Sequence, residues 1–338
     1  MIMFACPYCL TLLELVFVSE YSNWFCPICH EEFKSRNGIH YLHKDDDSWR
    51  EVEKEANGTI ECLKEDNAYN EEDCVGVDKY PYFEKREHST DINRVMFDMS
   101  KKLIGKKRGA LLEIGAKNCW AVNQFLKLGF TDVFATDISD DDKTALGWVV
   151  KLEKYTGRKF EKVICDGAYL PFENNQFDVI FSCSTFHHIR EKQNAMSEIY
   201  RVLKKDGIYV SMGDNPRHPE RSIEDALGPV KREREKFYIN ETQPTMDEYY
   251  LFFDRAGFED YYMYPFDENL LKNNWDFDRS DMIDRILELG KLQKEHRCFK
   301  SLFSNFSSKT QMLFSSDRVI MLNYWLHIPS NVVMWGIK

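Results

Sequence analysis

The 338-residue chain is predicted to fold as a doubly wound α/β domain preceded by a small cysteine-bearing module. Two patterns predict this. Between residues 108 and 212, short apolar runs alternate with stretches of helical period, the spacing of strand–helix–strand units in a parallel sheet covered on both faces. Ahead of them, four of the ten cysteines fall within the first 29 residues as two Cys-x-x-Cys pairs. An apolar content of 43% supplies an ordinary globular core.

Taken in order, Cys6-Pro-Tyr-Cys9 and Cys26-Pro-Ile-Cys29 stand sixteen residues apart. Four thiolates at that spacing can close a tetrahedron around Zn²⁺, each turn pointing both sulfurs the same way. Two redox Cys-x-x-Cys motifs are the alternative, but no βαβ pattern surrounds them. Such a site has no open position, so it is read as structural, filling a ribbon over residues 1–43. Residues 44–78 are acidic (Asp45 to Asp47, Glu71 to Asp73) and poor in apolar positions, which reads as a linker. A helix is expected over Ser89–Gly105, with Ile92, Val95, Met96, Met99, Leu103 and Ile104 on its buried face. Strands are then expected at Ala110–Ile114, Val133–Thr136, Glu161–Cys165, Phe177–Cys183 and Ile208–Met212. Helices at Trp120–Leu128, Lys143–Tyr155 and Gln193–Leu203 connect them. The main domain spans 79–265, its last elements a helix at Met246–Ala256 and a strand at Tyr261–Tyr264. Residues 266–338 form a C-terminal extension that completes the sheet or the acceptor site, with helical period at Asp278–His296 and a terminal strand at Asn331–Ile337.

The formal net charge of -11 disfavours non-specific binding to phosphate backbones. The one short basic run, Lys231 to Lys236, carries two glutamates and reads as a solvated helix face. No run reaches the ~18 to 20 apolar residues that span a bilayer. The apolar stretch Leu10–Val18 contains Glu14 and does not read as a signal peptide, so a cytoplasmic protein with no membrane partner is expected. The patterns leave its oligomeric state open.

Candidate ligand-binding residues sit where the strands end. Leu112 to Cys119 follows the first strand and resembles the first motif of the Rossmann-like (class I) S-adenosylmethionine-dependent methyltransferases. Lys117 and Cys119 depart from that motif, standing where further glycines are usual. Asp137 closes the second strand, and Cys165 to Phe172 followed by Asn174 to Asp178 resembles the family's adenine-binding stretch. Ser182 to Ile189 and Glu198 to Gly207 also match. The resemblance implies a seven-stranded sheet. It implies that Glu113, Gly115 and Ala116 shape the loop at the ligand's methionine end. Asp137 and Ile138 would meet the ribose, and Asp166, Gly167 and Ala168 the adenine, with Ser182 at the end of the fourth strand also on the cofactor. His188 is the candidate general base, His187 a weaker one. The first 43 residues, with Phe33 and Gly38 to Leu42 after the cysteines, resemble the zinc-ribbon proteins that activate methyltransferases as small partners.

The expected activity is therefore methyl transfer from S-adenosylmethionine, by in-line displacement, to a small-molecule or glycan-precursor acceptor. Arg217, His218 and Arg221 could meet an anionic acceptor, and the aromatic stretch 236–277 could wall its pocket, although aromatics at such spacings are more often core. One alternative is an RNA or protein methyltransferase using its ribbon to hold substrate, disfavoured because the ribbon lacks basic character. The other is a non-catalytic cofactor-fold scaffold or regulatory partner.

Overall fold

The computed structural model describes residues 3–18, 21–83, 88–217, 222–266 and 331–338. At the N-terminus, β1 (Glu14–Val18), β2 (Tyr21–Phe25) and β3 (Glu32–Phe33) form a small antiparallel sheet. β4 (Ser35–Arg36) and β5 (Ile39–Tyr41) follow, joined by Asn37-Gly38 with φ of 53° and 72°, the left-handed pair that suits a tight hairpin. This hairpin leaves the small sheet: β5 runs parallel to a strand of the main domain.

Residues 44–78, expected to be a linker, instead hold two helices, α1 (Asp47–Glu65) and α2 (Cys74–Lys79). Overall acidity hid a helical stripe, Trp49, Val52, Ala56 and Cys62, all buried. Both helices are capped by carboxylates. Asp46 accepts from the Trp49 N–H at 3.0 Å, and Asp73 accepts from the Gly76 N–H at 2.9 Å.

The rest follows the expected alternation: α3 (His88–Ile104), β6 (Leu111–Ile114), α4 (Trp120–Lys127), β7 (Val133–Asp137), α5 (Val149–Thr156), β8 (Glu161–Ile164) and β9 (Phe177–Cys183). Then come a single 3₁₀ turn at Phe186–His188, α6 (Lys192–Val202), β10 (Leu203–Asp214), α7 (Ile223–Lys236), α8 (Met246–Ala256), β11 (Asp260–Phe266) and β12 (Asn331–Ile337). α5 starts later than expected because the Asp141 carboxylate collects the Lys143 and Thr144 N–H groups and holds a turn instead. The expected helix at Asp278–His296, and most of the C-terminal extension, lie outside the described residues.

The main sheet runs β11-β12-β10-β9-β6-β7-β8-β5-β4. Among the described residues it has nine strands rather than seven, because the hairpin assigned to the N-terminal ribbon adds β5 and β4 to the β8 edge. Strands β10 through β5 are parallel, while β12 lies antiparallel between β10 and β11. Alternate side chains feed two cores. Phe181 and Val210 face a layer with Phe97, Phe125 and Trp148, whereas Leu112 and Ile180 face one with Phe172, Met196 and Phe253. The N-terminal module is seated on the second layer, where Phe4 packs against Phe172 and Phe134 and the Ala5 N–H donates to the Pro171 carbonyl at 3.0 Å. Among the described residues, no helix is long and apolar enough to cross a membrane.

Candidate functional site

Strand order reverses between β6 and β9, and a crevice at the carboxyl ends of strands is the natural ligand position there. A cleft of ≈ 730 Å³ opens at this place. It is lined by Glu113, Gly115, Ala116, Asp137, Ile138, Asp166, Gly167 and His188, so most of the expected site residues come together. Ala168 and Ser182 do not line it. Ala168 is fully buried in the core, and its N–H donates to Asp166 Oδ1 at 2.9 Å. The Ser182 hydroxyl turns into the sheet, where it donates to Ser211 at 2.9 Å and meets the Tyr209 hydroxyl at 3.0 Å. The period-2 alternation of β9 turns it toward Tyr209 and Ser211 rather than into the cleft.

The loop after β6 is held by its own residues. Gly115 has φ 70°, and a Cβ there would come within 2.3 Å of Thr185 Cγ2, so both conformation and space require glycine. Lys117 and Cys119 also take left-handed conformations, φ 48° and 57°. Those are the dihedrals that glycines would supply, so the loop forms despite the substitutions, at a cost of about 1 to 2 kcal/mol per residue. Asp137 compensates in part: Oδ2 accepts from the Lys117 N–H at 2.7 Å and Oδ1 from the Ser139 N–H at 3.0 Å. Burial raises its pKa, against the lowering effect of these N–H donors. Glu113 is buried and its pKa pushed well up by that burial, while Oε2 accepts from the Val122 N–H at 2.9 Å. It pins α4 to β6. Asp166 is likewise raised by burial, and only its Oδ1 is engaged among the described residues.

The other half of the cleft is built from elements that sequence reasoning did not assign to a site. α1 supplies Val52, Glu55, Ala56 and Thr59, α2 supplies Gly76 and Val77, and the segment after α7 supplies Ile239 and Glu241. Tyr80, Phe83 and Trp120 are its aromatic walls. Of the aromatics expected for that role, Tyr249, Tyr261 and Tyr262 are core and Tyr238 is exposed, while Trp275 falls outside the described residues. Arg217 sits 3.6 Å from Glu248 and does not line the cleft, and His218 and Arg221 are outside the described residues. Glu55 accepts from the Asn240 N–H at 3.0 Å and lies 3.4 Å from Arg190, yet burial prevails and lifts its pKa to about 7. The helical spacing of Trp49, Val52 and Ala56 was the signal that could have placed it.

His188 donates from Nδ1 to the Asn240 carbonyl at 2.8 Å, since a carbonyl only accepts, which leaves Nε2 with the lone pair. Burial and the neighbouring His187 drive its pKa down to about 4. It is neutral at physiological pH but a weak base. His187 donates from Nδ1 to the fully buried Asp214 at 2.7 Å, and its pKa stays raised despite burial because of that carboxylate.

At the N-terminus, the sulfurs of Cys6, Cys9, Cys26 and Cys29 lie within 4.8 Å of one another. Two matching turns place them. The Leu10 N–H donates to the Cys6 carbonyl at 2.8 Å and the His30 N–H to the Cys26 carbonyl at 2.9 Å, with Leu10 and His30 both at φ 60°. Cys9 and Cys26 Sγ are 3.6 Å apart, close to the roughly 3.8 Å edge of a tetrahedron with Zn–S bonds of ~2.3 Å.

Residues 112–211 match the family described as "Methyltransferase domain". A Danio rerio protein named arginine-hydroxylase NDUFAF5, mitochondrial, is 26% identical over 132 residues, covering 39% of this chain and 37% of its own length. The Homo sapiens protein named probable tRNA methyltransferase 9B is 39% identical over 82 residues, 22% of this chain and 18% of its own. Among solved structures, phosphoethanolamine N-methyltransferase 2 of Haemonchus contortus, in complex with S-adenosylmethionine, has a TM-score of 0.50 at 16% identity. That likeness of fold covers 82% of this chain and 59% of the other. The chain thus spans well under half the length of these curated relatives.

Proposed function

We propose that the chain catalyses methyl transfer from S-adenosylmethionine to a small-molecule or glycan-precursor acceptor held under α1 and α2, a reading supported by the match of residues 112–211 to the methyltransferase-domain family. One observation carries the reading: the loop after β6, Asp137 and the Asp166-Gly167 turn surround the same cleft that α1, α2 and Glu241 enclose from the other side. When bound, S-adenosylmethionine supplies a methyl already activated on sulfur, which passes to an acceptor lone pair as the carbon–sulfur bond breaks. Asp137 would take the ribose hydroxyls on the lone pairs its N–H partners leave, and Asp166 the adenine amino group on Oδ2. Trp120, Tyr80 and Ile239 would exclude water, and orientation of the acceptor carries most of the rate. Where the acceptor carries a proton, Glu55, with a pKa of about 7, is better matched to remove it than His188.

The cleft's charge favours a neutral or cationic acceptor. Leaving aside Glu55 and Glu113, whose pKa values burial raises, five carboxylates (Glu72, Asp73, Asp137, Asp166, Glu241) line it against Lys117, Arg190 and Arg234. A polyphosphate backbone would meet repulsion there. We read the four cysteines as a structural Zn²⁺ site, residues 1–43 as a ribbon whose last hairpin joins the sheet, and the cytoplasm as the compartment, whose reducing poise keeps thiolates available. Calorimetric titration of the zinc-loaded protein with S-adenosylmethionine and its demethylated product tests the cofactor half. Micromolar binding that weakens by ~1 to 3 kcal/mol in Asp166→Asn is expected. No binding by folded protein would move the scaffold reading ahead.

A further inference from the structure

One cluster in the cleft is not used by methyl transfer as derived above. A ring nitrogen of His187, a ring nitrogen of His188 and a carboxylate oxygen of Glu241 lie within 4.8 Å of one another. The three converge without bonding each other well. Glu241 Oε1 stands 3.6 Å from His187 Nε2 and Oε2 stands 4.0 Å from His188 Nδ1, both beyond a hydrogen bond. His187 is fixed from behind. Asp214 holds its Nδ1–H at 2.7 Å and is itself held by the His187 N–H at 3.0 Å. A buried carboxylate behind an imidazole fixes the tautomer and raises the basicity of the other nitrogen, the arrangement found behind metal-ligating histidines. His188 is held through Nδ1, which donates to the Asn240 carbonyl at 2.8 Å, so the lone pair it offers a metal is on Nε2. The Lys192 ammonium is turned to the Ile189 carbonyl at 2.7 Å.

From this the geometry points to a divalent transition-metal site formed by His187, His188 and Glu241, separate from the four cysteines. Two imidazoles and one carboxylate suit iron, cobalt or zinc and leave further coordination positions open. His188 and Glu241 both line the cleft, so those positions face the acceptor space. An oxygen or nitrogen of the acceptor would fill one of them; that service to the acceptor rests on the methyl-transfer reading, whereas the metal site itself does not.

The test uses the full chain with its cysteines loaded with zinc, and Co²⁺ as the probe. Equilibrium dialysis with metal analysis counts the cobalt bound, and absorption spectra detect the intense thiolate–cobalt charge-transfer bands that would betray displacement at the cysteines. One Co²⁺ per chain without those bands is expected. Affinity should fall at least about tenfold in both Glu241→Gln and His188→Gln, with zinc content and circular dichroism retained as the check on folding. Absence of a second metal equivalent, appearance of the thiolate bands, or a smaller loss in either folded variant would overturn the site. Binding of S-adenosylmethionine, measured on the same samples, separates this outcome from failure of the methyl-transfer reading.

Discussion

Replacing Glu55 with glutamine should stabilise the protein at alkaline pH and leave it nearly unchanged in mild acid. Its side chain is 7% exposed, and burial outweighs the Asn240 N–H and Arg190 to raise its pKa from 4.5 to about 7. A carboxyl whose folded-state pKa is raised favours folding while protonated. That contribution is fully present below the unfolded value and is lost as pH rises through about 7. The rise corresponds to about 3 kcal/mol, at 1.36 kcal/mol per unit. Glutamine keeps the shape, and its carbonyl still accepts from the Asn240 N–H, but it never ionises. The difference in unfolding free energy between Glu55→Gln and wild type should therefore grow from near zero at pH 4.5 toward about 3 kcal/mol at pH 8.5. Urea unfolding followed by tryptophan fluorescence reads this as a midpoint separation on the order of 1 M, given slopes of about 3 kcal/mol/M for a chain of this size. Parallel stability curves across that range would mean that Glu55 is solvated and that packing under α1 does not bury it.

Gly115→Ala combines a left-handed φ with a Cβ 2.3 Å from Thr185, so a loss of about 2 to 4 kcal/mol in denaturation and abolished S-adenosylmethionine binding by calorimetry are expected. Lys117→Gly relieves its φ of 48° at an exposed site, and a gain of up to about 1 kcal/mol should appear as a higher urea midpoint with cofactor binding kept. Cys26→Ser should remove zinc, measured by metal analysis, and expose residues 4–33 to proteolysis, because so small a segment depends on its metal to fold. Protease resistance that survives zinc loss would mean that the packing of Phe4 on Phe172 and Phe134 holds the module without metal.

The parts of this fold legible in the sequence are those where one period dominates. β6, β7, β8 and β9 read as short runs of mostly apolar, mostly buried residues, with Glu113 inside the first and Glu161-Lys162 opening the third. Asp137 and Asp166 are conspicuous because a carboxylate rarely closes such a run. What stayed hidden depends on distance in the chain. Gly38 to Tyr41 reads as the end of a ribbon, and nothing local says that Ile39 will pair with Lys162 across the main sheet. Net charge makes the stretch 44–78 read as a linker, although Trp49, Val52 and Ala56 mark a buried helical face. That difference matters for function, because α1 carries Glu55 into the cleft. Ser182 lies off the cleft for a finer reason: the motif places its backbone at the end of β9, but strand alternation decides which way its hydroxyl turns, and it turns toward Tyr209. Gly115, Asp137 and Asp166 could be read because they sit on consecutive strand ends, each marked by its own turn. Glu55 and Glu241, on the other side of the cleft, could not, because they stand on segments far apart in sequence and approach His188 only through tertiary packing.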